Sequence, residues 1–328
     1  MRRREFIALA GGAAAWPLAV RAQQSNRKRL IGVMIAYAES DPSAQSLIAT
    51  LRDALAKRGW TEDNLRIEIR WTGADADRIR TFAKELVDLR PDAILSHTSA
   101  VTSALAHETK TIPIVFVTVA DPIASGFVGT LARPGRNMTG FTTDNSVQGG
   151  KWVQLLKEVA PHVVRVALLL NPETGAPLQL YMPSIQAAAS SLAIEVNPAP
   201  VHAGGEIEGV IATLARDPGG GLIVMPAAFN VANRELIVAL AARYGVPTIY
   251  FKRDFTQAGG LMAFGPDYAE GVPPAAGYID RILKGEKPGD LPVQAPTKFD
   301  LIINLKTAKS LGLEVPSLLQ QVADELIE

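Results

Sequence analysis

The chain of 328 residues contains no cysteine, which excludes disulfides, thiol nucleophiles and thiolate metal sites together. A lipid-modified cysteine behind an export signal is excluded for the same reason. Histidine is scarce: His97, His107, His162 and His202 are scattered, and His107-Glu108 lacks the second histidine of a zinc-binding helix. Neither charge sign is in excess, with 33 basic and 33 acidic residues, so nucleic acid and anionic membrane surfaces are not expected partners. No apolar run approaches the roughly 20 residues that span a bilayer. Catalytic signatures are missing as well. There is no Gly-x-Ser-x-Gly elbow. Gly149-Gly150-Lys151 is followed by Trp152 where a phosphate loop needs Ser or Thr, and Gly219-Gly220-Gly221 precedes a strand instead of a helix. No cofactor and no metal are expected, and the protein is not expected to be an enzyme.

The first 22 residues read as a separate object. Arg2-Arg3-Arg4-Glu5-Phe6-Ile7 precedes a weakly apolar Ala/Gly-rich run, and Val20-Arg21-Ala22 ends it with small residues where a signal peptidase cuts. The paired arginines and the mild hydrophobicity fit the twin-arginine type of export, with Sec export as the alternative. Removing 1–22 takes away Arg2, Arg3, Arg4 and Arg21 against Glu5 alone, leaving 29 basic and 32 acidic residues. A slightly acidic protein, cut near Ala22 and free in the periplasm as a monomer, is the expectation.

What the mature chain does have is one arrangement written twice. Pro91–Ser99, a helical stretch to about Lys110 and Ile112–Val117 form the first copy. Gly221–Pro226, a helical stretch from about Ala232 to Tyr244 and Val246–Phe251 form the second. Each reads as a buried strand, a small-residue turn, an amphipathic helix and a strand opened by an aliphatic-Pro pair. Around them, continuous apolar runs such as 30–35 and 164–170 alternate with helical periodicity at 46–58, 77–89, 147–158 and 180–192. Leu65–Trp71 alternates at period two, as a half-exposed edge strand does. The pattern predicts an α/β protein of two Rossmann-like, doubly wound parallel-sheet lobes joined by a multi-strand hinge. The lobes are expected at 28–140 with about 265–290, and at 141–264 with about 291–328. Crossings between them are expected at 132–141, at Gly259-Gly260 and within 284–296, followed by a strand at 299–304 and a closing helix at 318–327.

Ligands of open parallel sheets bind beyond the carboxyl ends of the strands. Those positions hold Tyr37 and Ser40, then Thr98 and Ser99, then Asp121 and Pro122 in the first lobe. In the second lobe they hold Asn171, then Asn230, then Asp254. Thr98-Ser99 before a helix suit an anion such as a carboxylate, or simply cap the helix. Asp121-Pro122 suits an ammonium group or a turn, and Asn171-Pro172 carries the same pair of readings. Tyr37 would stack on a ligand or shield the end of the sheet. An exported enzyme using this cleft would draw on Asp121, His97 or Asp254 for acid-base chemistry.

Asp121-Pro122 with Gly126, followed by Arg133-Pro134-Gly135-Arg136-Asn137-Met138-Thr139-Gly140, resembles the signature of ABC-transporter substrate-binding proteins with a type I periplasmic fold. Leu155–Pro161, Val166–Pro172, Gly260–Tyr268 and Ile282–Pro288 continue the match to the family with tryptophan- and tyrosine-binding members. The resemblance implies two lobes, a hinge of three crossings, capture of a small molecule by closure and delivery to an ABC permease in the inner membrane. A ligand sensor docking to a membrane receptor would use the same fold. It also implies that Thr98, Ser99, Asp121, Asn171 and Asp144 lie near the ligand. Amino-acid-binding relatives often carry Thr-Asp-Asn after the second-lobe strand, where this chain has Ala227-Ala228-Phe229-Asn230. That change removes partners of an amine and favours a less polar or larger carboxylated molecule over tryptophan or tyrosine.

Overall fold

The computed structural model describes residues 27–143, 147–216 and 218–328; residues 1–22, expected to be an export signal, and Asp144 lie outside the described residues. The first sheet is built from β1 (Arg29–Ile35), β2 (Leu65–Trp71), β3 (Ala93–His97), β4 (Ile114–Val119) and β5 (Met138–Thr142). Its order is β2-β1-β3-β4-β5 and every pairing is parallel. The central strands are apolar at almost every position because helices cover both faces: Ile31, Val33, Ile94, Leu95, Val115 and Phe116 have no exposed surface. β2 lies at the edge as expected, but its burial does not alternate: Leu65 is buried, Arg66 exposed and Ile67–Trp71 are all half-buried.

The connecting helices are α1 (Pro42–Ala56), α2 (Ala76–Asp88) and α3 (Ser99–Glu108). Asp41 caps α1 by accepting from the Ser43 and Ala44 N–H groups, and Asp75 caps α2 by accepting from the Arg78 N–H. α3 starts differently, since Thr98 makes no side-chain cap hydrogen bond.

The second sheet contains β6 (Arg165–Leu170), β7 (Glu195–Pro200), β8 (Gly220–Val224), β9 (Thr248–Tyr250), β10 (Met262–Gly265), β11 (Asp300–Asn304) and β12 (Glu325–Ile327). Its order is β12-β11-β10-β9-β8-β6-β7, parallel except where β11 runs antiparallel to β10. Pro198 and Pro200 are tolerated in β7 because it is an edge strand. Around this sheet lie α4 (Gln148–Val159), α5 (Met182–Ser191), α6 (Gly204–Ala215), α7 (Ala228–Ala232), α8 (Arg234–Arg243) and the short α9 (Asp254–Gln257). The duplicated unit is therefore β3-α3-β4 in one sheet and β8-α7-α8-β9 in the other, with the second copy's helix interrupted at Asn233.

After β10 the chain returns to the first sheet as α10 (Val272–Leu283), which packs on α1, β3, β4 and β5. Gln294 then bridges to Phe141: its N–H donates to the Gly140 carbonyl and its own carbonyl accepts from Thr142 N. Tyr278 and Thr139 fasten the same stretch by donating to the Pro292 and Leu291 carbonyls at 2.7 and 2.6 Å. The chain thus passes between the sheets after β5, after β10 and before β11.

Three expectations are corrected. The turn-rich block 132–141 is a loop followed by β5, so the first passage begins only after Thr142. Gly259-Gly260 is a turn inside the second lobe, where a Cβ at Gly260 would lie 2.5 Å from the Tyr250 ring; the passage comes after β10. The closing helix ends early, at α12 (Ser317–Val322), preceded by α11 (Leu305–Ser310), and the last residues form β12 instead. Asp324 makes that break by accepting from the Leu301 N–H at 2.8 Å, which aligns 325–327 along β11.

Candidate interlobe binding site

The carboxyl ends of both sheets face one another, and the space between them is divided by aromatic side chains. A smaller compartment of about 40 Å³ is lined by Thr98, Ser99, Thr118, Thr143 and Thr174 together with Ala120, Ala227 and Phe251. A larger chamber of about 500 Å³ is lined by Ser43, Ser46, His97, Arg234, Lys252 and Asp254 among others. Tyr37 and Tyr268 line both spaces.

Thr98 is the most unusual residue of the smaller compartment. Its φ of 81° places a β-branched side chain in a region such residues avoid. The strain is held by the Thr98 N–H donating to the Val117 carbonyl and by Thr102 Oγ1 donating to the Thr98 carbonyl at 2.8 Å. The Thr98 hydroxyl itself is buried and has no hydrogen-bond partner. An unmet buried hydroxyl costs on the order of 1–3 kcal/mol, so a site for a polar guest is the economical explanation. Ser99 accepts from the Ala120 N–H at 3.0 Å, tying the start of α3 to the end of β4.

Tyr37 is buried, with His97 edge-on at 4.6 Å between ring centroids and Lys252 Nζ 5.3 Å from its ring centre. His97 Nδ1 accepts from the Ala36 N–H at 3.4 Å, which assigns a neutral ring. Burial, aided by the nearby Lys252 charge, pushes the His97 pKa down to about 3.

A cluster of charges joins the two lobes beside these rings. Arg234 pairs with Asp41 at 2.8 Å, and Ser43 Oγ donates to Asp254 Oδ2 at 2.7 Å. Lys252 Nζ lies 2.6 Å from the same Asp254 oxygen. Burial alone would raise the Asp254 carboxyl, but Lys252, Ser43 and Arg234 outweigh it and hold it below the usual carboxylate range. Burial would likewise lower Lys252, but Tyr37, Asp254 and Asp41 hold its ammonium above its ordinary value. Both groups are charged at neutral pH.

Of the residues singled out by the strand-end rule, Tyr37, Thr98, Ser99 and Asp254 line the interlobe space. The others are placed elsewhere or already occupied. Asp121 Oδ1 accepts from the Ala124 N–H at 2.8 Å, and the Pro122 carbonyl accepts from Phe127 N and Val128 N, so Asp121-Pro122 builds a turn. Asn171 has its whole amide in use: Oδ1 takes the Thr174 N–H and hydroxyl, and Nδ2 donates to the Val201 carbonyl. It shapes the loop that presents Thr174 to the cleft. Asn230 is fully buried, donating to the Leu169 and Met225 carbonyls, while its Oδ1 has no partner. Ser40 is exposed and lines neither interlobe space.

The sequence did not disclose Thr118. A register shift between Val117 and Val119 bulges β4 and leaves Thr118 at φ 61°, lining the cleft. Thr143, Phe251 and Tyr268 were missed as well, and so were Asp41, Ser43 and Arg234, because their pairing joins residues up to 211 positions apart. Among the described residues no group of three or more His, Asp or Glu is placed to hold a metal ion. No described helix is long and apolar enough to cross a membrane.

Two parallel-sheet lobes, three passages between them and a cleft lined by hydroxyls and rings define a bilobal binding protein of the type I periplasmic fold. The chain belongs to the ABC transporter substrate binding protein family, whose model matches residues 32–327. It is similar to the tyrosine-binding protein of Clostridioides difficile strain R20291, with 26% identity over 301 residues, covering 88% of this chain and 83% of that protein. A conserved domain protein from Vibrio cholerae shares the fold with a TM-score of 0.83 at 24% identity, over 92% of this chain and all of that one. The ABC domain from Streptococcus pneumonia in complex with L-Trp gives 0.82 at 23% identity, over the same shares. The ligand-free, open structure of a substrate binding protein from Clostridium difficile superposes less well, at 0.63 and 24% identity, over 92% of this chain and 99% of that one.

Proposed function

We propose that the protein is the solute-binding component of an ABC importer, closing its lobes over a small carboxylate-bearing molecule and releasing it unchanged to an inner-membrane permease. The observation that carries this reading is the strained, buried and unpartnered Thr98 hydroxyl at the start of α3, inside a compartment between the two lobes. A carboxylate there meets that hydroxyl and the N-terminal end of a ten-residue helix. The better superposition on the L-Trp complex than on the open, ligand-free relative supports a closed arrangement of the lobes. Closure is then a population shift, driven by contacts that ligand makes with both lobes only when they meet.

In this reading Tyr37, Thr98, Ser99 and Asp254 face the ligand. Asp121, Pro122, Asn171 and Asn230 shape the loops that carry them, and Asp144 directly follows Thr143, itself a lining residue. Acid-base catalysis has little to work with: His97 is neutral and engaged with the backbone, Asp121 is spent on a turn and Asp254 is ion-paired. The protein works outside the inner membrane, as a monomer delivered there by the segment 1–22.

The test is a thermal-shift and calorimetric screen of aromatic acids, amino acids and other small carboxylates. A ligand at 100 times its dissociation constant adds about 2.7 kcal/mol of stability. Thr98→Val keeps the shape and removes the hydroxyl. It is expected to weaken the best carboxylate by about tenfold or more, since hydrogen bonds to charged groups contribute about 1.5–3 kcal/mol. Unchanged affinity removes the carboxylate from this compartment, and conversion of a hit to a product contradicts the binding-protein reading itself.

A further inference from the structure

Resting on that reading of the cleft, we propose that the bound molecule is elongated and has a second, zwitterionic end, held in the larger chamber by Lys252 and Asp254. The compartment, at about 40 Å³ against about 500 Å³ for the chamber, is less than a tenth of its size, so the body of an elongated molecule anchored at Thr98 extends out of it.

The body has two directions to run. Towards the hinge, a cavity of about 220 Å³ shares Thr118, Thr143 and Tyr268 with the compartment, but the charged residues on its wall are Asp267 and Glu270, both acidic. Past Tyr37 and Tyr268, the chamber of about 500 Å³ offers both signs. The ends of the strands alternate between the two spaces: His97 faces the larger chamber and Thr98 the smaller compartment, Phe251 the smaller and Lys252 the larger. One molecule anchored at Thr98 therefore passes a pair of aromatic side chains and arrives at Lys252 and Asp254.

The charges there have unspent capacity. Lys252 has three N–H donors, of which Asp254 and Ser43 take two. Asp254 receives Lys252 and Ser43 on Oδ2, leaving Oδ1 open. Arg253, also on the chamber wall, has its Nε buried without an acceptor. A buried ion pair is a poor device for stability alone, because apolar residues of the same volume serve as well. A pair with a donor and an acceptor left over, facing an open chamber, suits a guest that brings one charge of each sign.

Calorimetric titration of the full chain with adipate, pimelate and suberate, and with α-aminoadipate, α-aminopimelate and α-aminosuberate, tests this. The α-amino diacids are expected to bind roughly tenfold tighter than their parents, as charge-assisted hydrogen bonds would give. Asp254→Asn should erase that advantage, bringing the affinity ratio of each amino diacid to its parent from about ten to about one, whatever its effect on the absolute affinities, with circular dichroism confirming that the variant is folded. No amine advantage, an equal loss for both series in Asp254→Asn, or no binding by any member overturns the proposal. Thr98→Val separates the two readings. If it weakens the diacids while Asp254→Asn leaves the amine advantage intact, the carboxylate site stands and the second end falls. If it changes nothing while the amine advantage persists, the reverse holds.

Discussion

Replacing Gly140 by alanine is expected to abolish folding of the first lobe, and so to leave little soluble protein. At φ 154° the residue brings its Cα against β4, and a Cβ there would lie 2.0 Å from the Phe116 carbonyl oxygen and 2.6 Å from its nitrogen. Both are backbone atoms of a central strand, so no rotamer change relieves the clash. Gly140 also accepts from the Gln294 N–H, so moving it disturbs the hinge passage that returns to the first sheet. The cost belongs to the exceptional class above about 4 kcal/mol, comparable with the whole stability of many domains. Gly209 is the control. It lies in α6 with no atom within 4 Å of an added Cβ, and Gly209→Ala should stabilise by about 0.5–1 kcal/mol. Urea midpoints of the two variants measure both effects, and near-normal stability of Gly140→Ala would contradict the close approach of β5 to β4.

The second large effect is an acid limb of stability set by His97. The folded-state pKa is depressed to about 3 by burial and by Lys252, with Asp41 opposing. The unfolded chain, with an ordinary histidine near 6.5, binds a proton first as pH falls. Stability is therefore fully present above about pH 6.5 and is lost progressively down to about pH 3, by up to about 5 kcal/mol at one unit per 1.36 kcal/mol. The Asp254 carboxyl, held low by Lys252, gives way in the same direction but only below about pH 4. The windows separate the two groups. Chemical denaturation at pH 7, 6 and 5 should show a falling midpoint for the protein and a much flatter one for His97→Gln. An equal slope in both would mean that His97 is not the group concerned.

What the chain announces and what it conceals divide along physical lines. Apolar runs such as Ile31–Ile35 and Val166–Leu169 are legible because a strand covered on both faces has no polar option. Asp75 before α2 and the prolines opening α10 are legible because caps act over a few residues. Strand ends pointed to Tyr37, Thr98, Ser99 and Asp254. They pointed equally to Asp121 and Asn171, whose side chains turn back on their own loops, and nothing in the composition of those loops distinguishes the two outcomes. Thr118 depends on a bulge in β4, and the Asp41–Arg234 pair on how two lobes meet. The terminal β12 is three residues long, too short for any periodicity, and is set by Asp324 and the neighbouring strand.

The central claim is capture by closure, and the absence of cysteine makes it directly measurable. Glu39→Cys on the first lobe and Glu235→Cys on the second give two exposed labelling positions flanking the Asp41–Arg234 pair. Pulsed electron-spin distance measurements on the doubly labelled protein, without ligand and with a saturating carboxylate from the screen, read the separation of the lobes. The account predicts a broad distribution that collapses onto the short distance when ligand binds, and one that shifts to longer distances in the free protein when Arg234→Gln removes the interlobe pair. A distribution unchanged by a ligand shown to be bound would contradict it.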